Sequence, residues 1–73
     1  MELMKKKELD FWIPYYLEHD IDGLIEATNT DSSVWDCWWD EVYGSINMAM
    51  SSGAITEEQA EMLRNYYLRC IED

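Results

Sequence analysis

Few residues in this 73-residue chain could do chemistry: one histidine, two cysteines and an abundance of carboxylates. His19, Cys37, Cys70 and one acid would supply the roughly four ligands a structural zinc ion takes. Yet Cys37 and Cys70 fall on separate predicted helices, and neither belongs to a C-x-x-C pair. Asp20-Ile21-Asp22-Gly23 opens like a calcium loop. An EF-hand needs D-x-[DN]-x-[DN]-G and a Glu at its twelfth position. Here the glycine comes two residues early and position 31 is an Asp, so the run reads as a solvated helix-capping turn. Cys37 with His19 suggests a thiol and its base, but a reactive thiolate wants a positive environment. Cys37 has Asp36, Asp40 and Glu41 around it instead. There is no Gly-rich phosphate loop and no Ser/His/Asp pattern, and paired carboxylates arise by chance among sixteen acids. The expectation is a protein that is not an enzyme, with no metal and no cofactor.

What remains is charge. The net charge is −11, and the cations are segregated. Lys5, Lys6 and Lys7 stand at the start, and Arg64 and Arg69 near the end. Between Glu8 and Leu63 there is no Lys or Arg, while thirteen acids fall in that window with only His19 to offset them. Such segregation marks an interaction surface or a solubilising shell. The acids that lead the first reading are Asp36, Asp40 and Glu41, followed by Asp20, Asp22 and Glu26.

The elements that must carry these acids are helices. Successive ~100° steps from about Ser33 to Ser51 place Trp35, Trp38, Trp39, Val42, Tyr43, Ile46, Ala49 and Met50 on one half, and Asp36, Asp40 and Glu41 on the other. Asp31, Ser32 and Ser33 are candidate N-caps, and Ser33 with Asp36 resembles a capping box. The tryptophan run belongs to the core by its spacing. One of its members at the rim would be a partner anchor, because Trp is enriched at interface hot spots. A second helix runs from about Glu57 to Glu72, with Thr56 and Gln59 as a capping box and Met62, Leu63, Tyr66, Tyr67, Cys70 and Ile71 on one side. Gly53 in the short connection is the natural left-handed cap. So short a link makes the two helices an antiparallel αα-hairpin. Before Asn29 two readings compete: one helix at about Trp12 to Thr28, with Pro14 tolerated in its first turn and Leu17, Ile21, Leu24, Ile25 and Thr28 as its stripe, or two short helices broken near His19-Asp20, with Asp20 capping Ile21 to Thr28. Gly23 weakens the continuous version, so two short helices are expected. The fold class expected is all-α: a small bundle of three to four short helices with a C-terminal αα-hairpin, forming a single acidic domain over 1–73.

At 48% hydrophobic, with four Trp and five Tyr, the chain is too apolar for a disordered acidic tail. Large aromatics, each burying ~150–250 Å², supply a core that a chain this short would otherwise lack. No apolar stretch approaches the ~20 residues of a membrane span, and Glu8 and Asp10 interrupt any signal-like start. Two cysteines make no disulfide framework and suit a reducing, cytoplasmic setting. In length, acidity, helical content and aromatic density the chain resembles small phage or mobile-element inhibitors, the anti-CRISPR and anti-restriction proteins that mimic DNA. The resemblance is one of whole-chain composition. It implies a basic protein partner, such as a CRISPR effector or another nucleic-acid-handling enzyme, inhibited or masked by this chain. Direct nucleic-acid binding is not expected, since Lys5, Lys6 and Lys7 form the only basic patch. The competing expectation is a small helical adaptor or homodimeric assembly protein that works through aromatic contacts.

Overall fold

The computed structural model describes residues 5–30 and 32–68. Three helices, α1 (Tyr15–Asn29), α2 (Trp35–Ser51) and α3 (Glu57–Leu63), follow an extended arm, and α3 runs on into a π-helical turn at Arg64–Leu68. Among the described residues there is no strand. The all-α bundle and its C-terminal hairpin are therefore the fold.

Helix α1 departs from the expectation of two short helices. Pro14, at φ −64° and ψ 154°, takes the N-cap position, and its carbonyl accepts from the N–H groups of Leu17 and Glu18 at 3.1 Å. The helix then continues unbroken through His19-Asp20 and Gly23. Asp20 caps nothing: its carboxylate accepts from the Ser45 hydroxyl on α2. Gly23 is retained for packing. The ring of Trp38 lies on the backbone there, and a Cβ at residue 23 would come within 2.3 Å of that ring. The pairs Asp20–Ser45 and Gly23–Trp38 run in opposite senses along the two helices, so α1 and α2 are antiparallel.

The start of α2 also differs. Its first helical residue is Trp35, Val34 holds the cap position, and no side-chain cap is made there. The serine one turn earlier intervenes: Ser32 Oγ accepts from Val34 N–H at 3.2 Å and the Ser32 carbonyl from Trp35 N–H at 3.2 Å. A hydroxyl closing its own local turn replaces the expected Ser33–Asp36 box. The end of α2 is as expected. Gly53 adopts φ +84°. Ala54 N–H reaches the Ala49 carbonyl at 2.9 Å and Gly53 N–H the Met50 carbonyl at 3.1 Å, the two bonds of a Schellman ending. Helix α3 opens on the reciprocal Thr56–Gln59 capping box.

The expected single helix to Glu72 is modified in its described part. After Leu63 the backbone widens into the π-turn, which turns Leu68 inward beside Tyr67. The Leu68 carbonyl then accepts from Trp39 Nε1 at 3.2 Å. Asp31, expected among the caps of α2, and Arg69, Cys70, Ile71 and Glu72, expected in the last helix, lie outside the described residues. The core is continuous across all elements: Leu17, Ile21 and Leu24 from α1, Val42, Ile46 and Ala49 from α2, Ile55 from the connection, then Ala60, Leu63, Tyr67 and Leu68. Full burial of each large aliphatic side chain contributes about 1.5–3 kcal/mol. Leu9, Phe11 and Ile13 of the arm pack on the edge of that core.

The α1–α2 contact gives a direct test. An exposed helical Gly→Ala gains about 1 kcal/mol, but Gly23→Ala is expected to lose about 1–3 kcal/mol by overpacking against Trp38. Urea unfolding measures the sign, and the same change made beside Trp38→Leu should recover stability relative to Gly23→Ala alone. A stabilised single variant would show that the ring does not need the glycine.

Candidate functional site: an acidic shell with its cations tied down

Helix α2 presents its acids away from the core. Asp36, Asp40 and Glu41 are all exposed. Asp36 and Asp40 lie one above the other at i, i+4, and Glu41 sits about 100° further round. Among the described residues none of the three is in an ion pair. Asp36 in the first turn also suits the positive end of the helix dipole.

The acids of α1 divide into three kinds. Glu26 is exposed and forms no ion pair among the described residues. Asp22 and Glu18 share one cation, Lys6, whose Nζ stands 3.0 Å from a carboxylate oxygen of each. Asp20 has only 14% of its side chain exposed and is engaged by Ser45 and by His19 Nδ1 at 3.4 Å. Of the six acids singled out from the sequence, Asp20 thus holds α1 to α2, Asp22 is in part neutralised, and Asp36, Asp40, Glu41 and Glu26 face outward.

Among the described residues, the cations Lys6, Lys7 and Arg64 make internal contacts. Lys6 is held charged above its ordinary 10.5 by hydrogen bonds to Glu18 and then Asp22. Lys7 Nζ sits 5.2 Å above the Tyr66 ring, a cation–π distance. Arg64 binds Asn47 Oδ1 across to α2 and pairs with Glu61 at 3.6 Å. Backbone contacts fix the same arm: Lys7 N–H donates to Tyr67 Oη at 2.8 Å, and Tyr66 Oη donates to the Lys5 carbonyl at 3.1 Å. Burial pushes the Tyr67 hydroxyl above its usual 10.0, and the Lys7 N–H bond opposes this in part.

Asp20, Asp22, His19 and Cys37, the described members of the calcium, zinc and thiol candidates, are placed as follows. Asp20 and Asp22 lie within α1, two residues apart and so about 200° apart around it. They cannot converge on one cation, and the run is neither a loop nor a cap. Cys37 is exposed on α2, whereas His19 lies between Tyr15 and Trp38, with ring centroids 6.2 and 6.0 Å away. Cys70 lies outside the described residues. Among the described residues no three His, Cys, Asp or Glu side chains come together as a metal would require.

The tryptophan run is half-buried: Trp38 against α1, Trp39 stacked on Tyr43 at 5.7 Å and bonded to Leu68. The aromatic rings that do face solvent are elsewhere. Trp12 is 71% and Tyr15 78% exposed. Neither is marked by the sequence: Trp12 lies in the arm before the helix and Tyr15 is the first residue of α1, where helical periodicity gives little inward or outward direction. Trp12, Phe11, Leu9 and Ile13 also line a cleft of about 600 Å³ between the arm and Glu18.

No protein-family model, curated protein or solved structure matches this chain. Among the described residues no helix is long and apolar enough to cross a membrane.

The arm contacts carry a pH signature. Lys6 and Tyr67 both have raised values in the fold, so both favour the folded state below their unfolded values of 10.5 and 10.0 and lose that contribution as pH rises through the folded ones. Urea midpoints measured across the alkaline range should fall above about pH 10, and the fall should be shallower in Lys6→Gln and in Tyr67→Phe. An unchanged slope in both variants would exclude these groups as its source.

Proposed function

We propose that this chain is a non-enzymatic acidic binding protein that inhibits or masks a basic, nucleic-acid-binding protein, in the manner of an anti-CRISPR-type DNA mimic. One observation carries the reading. The described cations other than Lys5 are occupied by internal partners, while Asp36, Asp40, Glu41 and Glu26 stand exposed with no ion pair among the described residues. These four acids thus present uncompensated negative charge outward from α1 and α2. Duplex nucleic acid carries one negative charge per ~1.7 Å of axis, and a basic groove evolved for it accepts a comparable field. Fixed carboxylates on helices steer such a partner and set its register, chiefly through the association rate at low salt.

The test has two arms. The chain is used to capture partners from its native host, and the captured protein is then offered duplex DNA. The expected partner is a basic nucleic-acid-binding protein from which duplex DNA and this chain exclude one another. Asp36, Asp40 and Glu41 are next changed together to Lys. Affinity should drop by at least about tenfold, with a shallower dependence on salt. A partner that binds the charge-reversed variant equally well, at every salt concentration, would sink the proposal.

A second reading has its own support. Trp12, Tyr15 and Met48 are 71%, 78% and 60% exposed, and exposed aromatics of this kind serve an adaptor or a homodimer. Sedimentation at micromolar concentration separates the two: a tight dimer weakened by Trp12→Ala and Tyr15→Ala together favours assembly, and a monomer favours the acidic inhibitor.

A further inference from the structure

The basic run at residues 5–7 is seated as a ligand would be. Each of its three residues meets the body of the protein in a different way. The Lys5 carbonyl accepts from Tyr66 Oη at 3.1 Å. The Lys6 ammonium bridges Glu18 and Asp22 at 3.0 Å from each. Lys7 donates its N–H to Tyr67 Oη at 2.8 Å and lays its ammonium over the Tyr66 ring at 5.2 Å. The receiving side is built from two elements far apart in sequence. The outward carboxylates of α1, one turn apart, form one wall, and the adjacent tyrosines of the π-turn form the other. π-helical turns are frequent at functional sites, and this one, which follows α3, places consecutive side chains, Tyr66 and Tyr67, against the same arm.

The charge chemistry of the arm is also easy to displace. Lys6, Glu18 and Asp22 keep 45%, 49% and 55% of their side chains in solvent, and ion pairs that wet contribute little and weaken with salt. A competing basic segment makes the same contacts without losing any that the cradle offers.

We propose that Glu18, Asp22, Tyr66 and Tyr67 form a receptor for a lysine-rich segment, that residues 5–7 occupy it in cis as an autoinhibitory strap, and that a basic segment of the partner enters by displacing the strap. The inference rests on the acidic-binder reading and names a second contact for it, on the α1 side of the fold. On displacement the partner's ammonium takes the place of Lys6 between Glu18 and Asp22, and residues 5–7 leave the cradle.

The probe is a blocked Lys-Lys-Lys peptide, titrated into full-length protein and followed through the amide and ring resonances of Glu18, Asp22, Tyr66 and Tyr67. A strap seated nine-tenths of the time lowers a competitor's apparent affinity about tenfold. Changing Lys5, Lys6 and Lys7 together to Gln should therefore tighten peptide binding by about that factor, with shifts confined to the cradle. Adding Glu18→Gln and Asp22→Asn should abolish the gain. Removing the same charge by Glu57→Gln and Glu58→Gln on α3 should not. Equal binding before and after the lysine changes overturns the strap. Equal loss from the α3 control shows attraction to net charge alone and overturns the receptor. Neither result depends on the α2 acids or on a captured partner, so the main proposal stands or falls separately.

Discussion

The seating of the Trp38 ring on the bare backbone at Gly23 governs how closely α1 and α2 approach. That approach brings Asp20 to Ser45 across the interface and aligns Leu17, Ile21 and Leu24 with Val42, Ile46 and Ala49. It also decides which acids reach solvent. With the Trp38 edge of α2 facing α1 and the Trp39 edge facing the π-turn, the remaining arc of α2 can only point outward, and Asp36, Asp40 and Glu41 occupy it. A side chain at residue 23 would push the helices apart and loosen all of these relations together.

A protein with so much negative charge faces self-repulsion in its compact state, and the structure limits it locally. Lys6 sits where Glu18 and Asp22 would otherwise repel at one turn's spacing, and Arg64 takes Glu61 and Asn47 together. Lys6, Lys7 and Arg64 thus stabilise the seams between elements, at arm–α1, arm–π-turn and α2–π-turn, and leave the broad helix faces acidic. The same economy supports the proposed function: the charges that would blunt an acidic surface toward a basic partner are placed where they also hold the fold.

Much of the architecture was readable in advance. The stripe of α2, the Thr56–Gln59 box and the glycine ending at Gly53 are local, and each follows from bonds made within a few residues. The break expected at His19-Asp20 did not occur, because a propensity cost at Gly23 and a capping preference at Asp20 are both local terms, and both were outweighed by contacts to α2. The Ser33 cap failed for a local reason: Ser32 closes its own turn on the Val34 N–H, which puts Val34 rather than Ser33 at the cap position.

Among the site residues the division is similar. The sequence by itself determined that the chain is helical and acidic and that Asp36, Asp40 and Glu41 lie opposite the apolar stripe, because helical periodicity and residue type suffice for that. Only the tertiary structure decided that Asp20 faces another helix, that Lys6 covers Asp22 and Glu18, and that Tyr66 and Tyr67 hold residues 5–7. Those roles join positions from 12 to 61 residues apart, and a contact at that separation is fixed by how whole elements pack, which no local pattern encodes.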